Sequence, residues 1–211
     1  MTVILYDYWR SSAAYRVRIA LNLRGIAFRI VPVNLLTGEH KGPANLARNP
    51  QGLVPTLEID GQVLTQSLAI IEYLEETRGP LLLSADPAGR ARVRALAHAV
   101  AMEIHPVCNL SVARHAVAAS GGGVTMEGWM RHFIGPGLAA VEAMLDGAGA
   151  FCHGDAPTLA DVCLVPQVYN AIRWGIPLDP VPRIRAIVER AGALPAFAAA
   201  HPDHVKPEDT P

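Results

Sequence analysis

The first part of the chain alternates between two apolar periods. Val3-Ile4-Leu5-Tyr6 is a short apolar run that reads as a strand. From Ala13 to Leu23 the spacing turns helical, carried by Val17, Ala20, Leu21 and Leu23, and Gly25 is its stop. Phe28 to Val33 reads as a second strand, on a sheet edge if Pro32 lies inside it. Residues 37–49 read as irregular with one helical turn. Pro55–Ile59 and Gln62–Leu64 flank Asp60-Gly61, the signature of a hairpin with a two-residue turn. Ser67 to Thr77 is helical, with Leu68, Ile71 and Leu74 on its stripe. The order βαβ followed by ββα predicts a small four-stranded mixed sheet, the crossover being right-handed.

A short proline-punctuated linker follows, from Arg78-Gly79-Pro80 through Asp86-Pro87. Beyond it strand signals vanish. Val93, Leu96, Ala97, Val100, Ile104 and Val107 keep helical spacing over one long segment that Gly121-Gly122-Gly123 breaks. A second long helix is expected from Thr125 to Leu145, a third from Thr158, and one or two more over 180–200. The tail 201–211 reads as loose. The expected division is residues 1–80, an α/β domain, and 88–205, an all-helical domain.

Composition narrows the function classes. The chain has 211 residues, 18 Lys+Arg against 19 Asp+Glu, and a formal net charge of −1. That balance excludes nucleic-acid binding by bulk charge and a polybasic membrane surface. With 51% hydrophobic and 18% charged residues it is no disordered chain. The longest run without Asp, Glu, Lys or Arg is twelve residues, too short to span a bilayer. MTVILYDYWR reads as a first strand, not a signal peptide. The three cysteines, Cys108, Cys152 and Cys163, form no C-x-x-C and are expected as buried, reduced thiols of a cytoplasmic protein, with no metal site.

Three short stretches carry candidate chemistry. Ser11 and Ser12 sit where strand 1 meets helix 1. One hydroxyl suffices as an N-cap; a second, at a helix N-terminus, is suited to donate to a thiolate. A thiol of pKa near 8.5 is only a few per cent ionised at pH 7, and lowering it by ~2 units takes ~2.7 kcal/mol of preferential thiolate stabilisation. Val54-Pro55 opens the third strand. An ordinary trans proline would serve there, but a cis bond would leave the Val54 backbone available to pair with a peptide. Gln66-Ser67 precede the next helix. Ser67 is expected as its N-cap, and the same end can hold a carboxylate, with Gln66 beside it. A thiolate hole, a β-edge and a carboxylate cup from one small domain would cradle a tripeptide thiol.

The order of these pieces resembles a thioredoxin-like glutathione-binding domain followed by the all-helical domain of a cytosolic glutathione transferase. Ser11-Ser12-x-x-Tyr15-Arg16-Val17-Arg18-Ile19-Ala20-Leu21 resembles the zeta-class signature Ser-Ser-Cys-x-Trp-Arg-Val-Arg-Ile-Ala-Leu. Asn49 through Leu57, Gln66 through Arg78, Gly154-Asp155 through Asp161, and Leu164 through Val168 also match, so the likeness spans nearly the whole chain. One departure is Ala13, where the family carries Cys. This leaves Ser11 or Ser12 as the thiolate partner.

The resemblance implies a homodimeric isomerase of maleylacetoacetate or maleylpyruvate with glutathione as cofactor. Its dicarboxylate substrate calls for forked cations. A lone arginine is by default a solvated charge, but the resemblance implies substrate binding for Arg10 and Arg173. It further implies glutathione contacts for His40, whose alternative is a solvated loop residue, for His105, whose alternative is a satisfied helix-end residue, and more weakly for Asn109. Arg16 and Arg18 are expected to be structural or interface charges. Arg90, Arg92 and Arg94 are expected on a solvated helix face, and Thr158 with Asp161 as a capping box. The hydrophobic content and the helices of 88–146 also favour a dimer. Two rivals stand: a general glutathione transferase or peroxidase acting on apolar electrophiles, and a non-enzymatic module of the same fold.

Overall fold

The computed structural model describes residues 2–207. Residues up to Leu81, with those from Ala193 onward, form one compact unit, and Leu82–Gly192 form the other.

In the first unit, β1 (Val3–Asp7), β2 (Phe28–Pro32), β3 (Thr56–Ile59) and β4 (Gln62–Thr65) make a mixed sheet in the order β2-β1-β3-β4. β1 runs parallel to β2 and antiparallel to β3, which pairs antiparallel with β4. β2 is an edge strand, so Pro32 costs the sheet no interior hydrogen bond. Asp60 and Gly61 turn the hairpin with both φ positive, at 53° and 75°. The core gathers Leu5, Leu57, Ile70, Ile71 and Leu74 with Val17, Ile19 and Leu21 of α1 (Ser12–Leu23). α1 ends where sequence places it: Gly25 takes φ +62°, and the N–H groups of Gly25 and Ile26 close onto the carbonyls of Asn22 and Leu21.

Two expectations in this unit are corrected. Residues 37–49 hold more helix than the one turn expected: a 3₁₀ turn, Glu39–Lys41, and α2 (Pro43–Arg48). Pro43 supplies the helix start, a signal too short to show as periodicity. The tail is not loose as far as Pro207. After α3 (Ser67–Thr77) the chain leaves this unit and returns at Ala193 with α10 (Pro195–Ala200) and α11 (Pro202–Val205). α10 docks on α1, with Asn22 Nδ2 donating to the Ala196 carbonyl at 3.0 Å. Residues 208–211 of the expected loose tail lie outside the described residues.

The second unit is helical. α4 (Pro87–His98) starts on Asp86, whose carboxylate accepts from the Gly89 N–H at 2.8 Å. It passes into a π-helical stretch, Ala99–Ile104, and then α5 (His105–Val107). Cys108 and Asn109 separate this from α6 (Leu110–Ala119). The single long helix expected to Gly121 is therefore interrupted. Pro106 has no N–H to give, and Asn109 restarts the helix by accepting from Ser111 N–H at 3.2 Å. α7 (Met126–Met144) packs against the π stretch, where Gly137 leaves room for Ile104: a Cβ there would stand 2.6 Å from Ile104 Cγ1.

α8 (Leu159–Arg173) begins with the expected capping box. Thr158 donates through both N–H and hydroxyl to Asp161 Oδ2 at 2.8 Å, and Asp161 Oδ1 accepts from Cys152 N–H at 2.9 Å. α9 (Pro182–Gly192) completes the unit. Arg90, Arg92 and Arg94 are half-buried rather than solvated, and Arg92 reaches the carbonyl of Met144. No helix among the described residues is long and apolar enough to cross a membrane.

Candidate active site

Most candidate residues fall on one end of the first unit. The chain leaves β1 at Asp7 and turns through Tyr8–Ser11, the Ser11 N–H donating to the Tyr8 carbonyl at 2.7 Å. Ser11 is the N-cap of α1, and its Oγ accepts from Ala14 N–H at 3.2 Å. That leaves its hydroxyl proton to be donated outward. Ser12 is the first helical residue and is buried, at 7% exposure. The N–H groups of the first turn of α1 add a partial positive charge at this point. Arg10 is half-buried, with its guanidinium 4.5 Å from the Trp9 ring centroid and Nη2 donating to the Tyr8 hydroxyl at 3.0 Å.

The Val54–Pro55 peptide bond is cis. Its approach is stapled by two asparagines that sequence reading did not single out. Asn49 Nδ2 donates to the Leu53 carbonyl at 3.1 Å, and Asn45 Nδ2 to the His40 carbonyl at 2.9 Å. Both are buried. They tie the turn carrying His40 to the segment carrying Val54. Asn49 lay inside a matched motif, whereas nothing in the sequence marked Asn45.

Gln66 and Ser67 correct a further expectation. Ser67 is not the N-cap of α3 but its first residue; Gln66 holds the cap position with φ +66° and ψ 114°. A non-glycine residue at that φ is costly and points to a functional constraint. Gln66 Nε2 donates to Gln51 Oε1 at 2.7 Å. Ser67 is buried, and its Oγ accepts from Arg16 Nη1 at 3.3 Å. Arg16 is itself only 2% exposed. It is therefore an internal charge lying against the helix end expected to hold a carboxylate, not an interface charge. Arg18 is fully buried and pairs with Asp7. Burial pushes the Asp7 carboxyl up, and Arg18 beside it pulls against that rise.

Arg173, His105 and Asn109 belong to the second unit. Arg173 stands exposed in the last turn of α8, 6.0 Å from the Tyr169 ring centroid. The helix stops just after it: Gly175 takes φ +63°, with Gly175 and Ile176 closing onto the carbonyls of Ile172 and Ala171. His105 sits where the π stretch ends, its N–H donating to the Val100 carbonyl five residues back. Such stretches recur at functional sites. Asn109 spends its Oδ1 on the cap of α6.

Burial disfavours a thiolate on the protein's own cysteines. All three cysteines are free and buried. Burial pushes Cys108 up to about 11. Burial, and then the Asp161 carboxylate, raise Cys152 well above its ordinary range. Ala13 places no sulfur beside Ser11 and Ser12.

Residues 10–77 match the family model described as glutathione S-transferase, N-terminal domain. The chain is 62% identical over 208 residues to a maleylacetoacetate isomerase of Rhizobium meliloti, covering 97% of this chain and 98% of that one. Among solved structures it resembles a holo maleylpyruvate isomerase, described as a bacterial zeta-class glutathione S-transferase. There the TM-score is 0.91 and the identity 43%, over 99% of this chain and 100% of the other. It also resembles the maleylacetoacetate isomerase of Anaeromyxobacter dehalogenans, at TM-score 0.87 and 49% identity over 100% and 98% of the two chains. That enzyme has been solved with glutathione in its active site, and with dicarboxyethyl glutathione and citrate there.

Proposed function

The chain belongs to the glutathione S-transferase family, zeta class, and from that membership we propose that it is a glutathione-dependent cis–trans isomerase of maleylacetoacetate or maleylpyruvate. The observation that carries this reading is the N-terminus of α1. Two serine hydroxyls, a helix dipole and a half-buried arginine converge there, and Ala13 places no sulfur beside them. The arrangement fits a thiolate brought by a cofactor, next to an anionic substrate.

The fit to glutathione rests on three features of the first unit: the donors of Ser11 and the α1 terminus, the Val54 backbone before the cis proline, and Ser67 with the Arg16 charge behind it. Bound glutathione supplies a thiolate that adds reversibly to the substrate alkene, allowing rotation before it departs. Ser11 donates its hydroxyl proton as a hydrogen bond to that sulfur; Ser12, more buried, lines the same turn. Val54 pairs its backbone with the peptide, and Pro55 fixes the bend that exposes it. Gln66 and Ser67 hold the carboxylate at the far end, with Arg16 adding attraction. The family likeness assigns further glutathione contacts to His40 and, on the second unit, to His105 and Asn109. Arg10 and Arg173 bind substrate carboxylates and stabilise the negative charge that spreads onto the conjugated carbonyl during reaction.

A relative that binds dicarboxyethyl glutathione supports thiol addition to a dicarboxylate. We further propose that the enzyme is a homodimer in the cytoplasm. Support comes from the 51% hydrophobic content and from apolar side chains left exposed in each unit, such as Val63 in the first and Met102 in the second, and from three unbridged cysteines. Calorimetry should show one glutathione per chain, and conversion of a cis keto-dicarboxylate should require it. Turnover at the same rate without glutathione would reject the reading.

A further inference from the structure

We propose that Arg18 is a positioning residue for this reaction: it locks the Tyr8–Ser11 turn through the Trp9 carbonyl, and so sets where Arg10 and Ser11 stand. The inference rests on the reading of that turn as the thiolate and carboxylate site.

Arg18 is 0% exposed, and each of its three guanidinium nitrogens has a partner. Nη1 pairs with Asp7 Oδ2 at the end of β1. Nη2 donates to the Trp9 carbonyl at 2.9 Å, and Nε to the Ala200 carbonyl, at the end of α10, at 3.0 Å. Its Cζ lies 5.2 Å from the Tyr15 ring centroid. One planar fork thus joins a strand end, the site turn and the returning C-terminal segment.

Stability alone gives little reason for such a group. A buried ion pair is often matched or bettered by apolar side chains of similar volume. An apolar side chain cannot, however, fix the plane of a peptide group. Trp9 O is the last carbonyl before Arg10. With the Ser11 N–H held by the Tyr8 carbonyl on the other side, Arg10 is bracketed by two fixed peptides. The C-terminal segment shares the same anchor. Besides Ala200, Lys206 places its Nζ 5.3 Å from the centroid of the Trp9 ring that Arg10 also covers. Glutathione's peptide end should not depend on this cluster, because Leu53 before Val54, Gln66 and Ser67 are held by other hydrogen bonds.

The test uses the full chain with Arg18→Met, Arg18→Lys and Asp7→Asn. Three properties are read on folded protein: glutathione affinity by calorimetry, ionisation of the bound thiol from thiolate ultraviolet absorbance against pH, and kcat and KM on a cis dicarboxylate. Arg18→Met should bind glutathione within about threefold of the parent. Its bound thiol should ionise about one unit higher, and its kcat should fall by ~100-fold, as a misplaced site group costs. Arg18→Lys should recover only part, since an ammonium reaches one acceptor where the fork reaches three. Asp7→Asn, which keeps an acceptor, should lie between the lysine variant and the parent. A folded Arg18→Met or Arg18→Lys protein with unchanged thiol ionisation and kcat overturns the proposal. Failure of all three variants to fold overturns it too, by assigning the cluster to stability. If the parent does not isomerise the dicarboxylate, the proposed function fails while the thiol titration still judges Arg18.

Discussion

Arg16 Nη1 donates to Ser67 Oγ across 3.3 Å, joining a buried guanidinium on α1 to the first residue of α3. Two sources of positive potential then act at one point, the α3 terminus and the Arg16 charge, with little solvent to screen the latter. Arg16→Met should weaken glutathione binding by ~1.5–3 kcal/mol, the size of a hydrogen bond that involves a charged group. Ser67→Ala and Gln66→Ala should also weaken it, while kcat at saturating glutathione stays near the parent's. Calorimetry checks the first effect and steady-state kinetics the second. Unchanged affinity in all three variants would remove this helix end from the cradle.

The two serines should separate. Ser11 caps α1, so Ser11→Ala should cost ~1 kcal/mol of stability. It should also raise the barrier to turnover by ~2.7–4 kcal/mol, as loss of one preorganised donor does. Ser12 is the first helical residue rather than the cap, so Ser12→Ala leaves the Ser11 cap bond in place. Urea melts and kcat for the two variants, with Ser11→Gly as a cap-tolerant control, check this. Full activity in both variants and in the double mutant would contradict the thiolate assignment.

Much of this was readable in the sequence, and what was missed has physical causes. Strands β1 to β4, helices α1, α7 and α8, and the Asp60-Gly61 turn each carry a local signal: an apolar period, a cap or a glycine stop. The interruption at Cys108-Asn109 was not readable, because apolar positions keep helical spacing up to Val107 and no change of pattern announces the break. Periodicity also says nothing about which core a helix joins, so the return of the segment from Ala193 to the first unit was invisible. In the site, hydroxyls and arginines at element ends could be picked out by type. Arg16 and Arg18 could be read only as structural or interface charges, because they act on groups 51 and 182 residues away, and Asn45 carried no signal at all.

The arginines should distinguish an isomerase of dianions from a general transferase. Arg10→Met and Arg173→Met should each lower kcat/KM for a cis dicarboxylate by roughly tenfold to a hundredfold, the loss of a charge-assisted hydrogen bond. Conjugation of glutathione to a neutral aryl halide, if the parent catalyses it, should change little. Equal losses on both substrates would mean that the arginines serve the fold or the cofactor. No loss on the dicarboxylate would favour the transferase.

Gln167 is 0% exposed, and neither its Oε1 nor its Nε2 has a hydrogen-bond partner among the described residues. Replacing an unsatisfied buried amide by an apolar side chain of similar shape removes its desolvation cost, ~1–3 kcal/mol. Gln167→Met should therefore be neutral or stabilising in urea denaturation. A loss of stability would show that the amide is satisfied within the core.

Acid should unfold the protein partly through two exposed carboxylates. Hydrogen bonds from Arg78 and then Tyr73 hold Asp60 below its ordinary value of 3.8; the Gly89 N–H and then Ser84 do the same for Asp86. A carboxyl lowered by folding contributes stability that is present above its unfolded value. It is lost as pH falls through the lowered folded one. Asp60→Asn and Asp86→Asn should thus be less stable at neutral pH and show a flatter decline below about pH 4. Urea midpoints measured from neutral to acidic pH give the slope, and parallel curves for parent and variants would contradict the assignment.

The central claim is that glutathione acts on a cis dicarboxylate as a catalyst rather than as a reagent. The direct measurement is the ratio of trans product formed to glutathione consumed, with product followed by absorbance and free thiol titrated in the same reaction. The account predicts many turnovers per glutathione, no reaction without it, and full recovery of thiol at the end. One thiol lost per product, with a stable conjugate, would contradict it and make the protein a transferase.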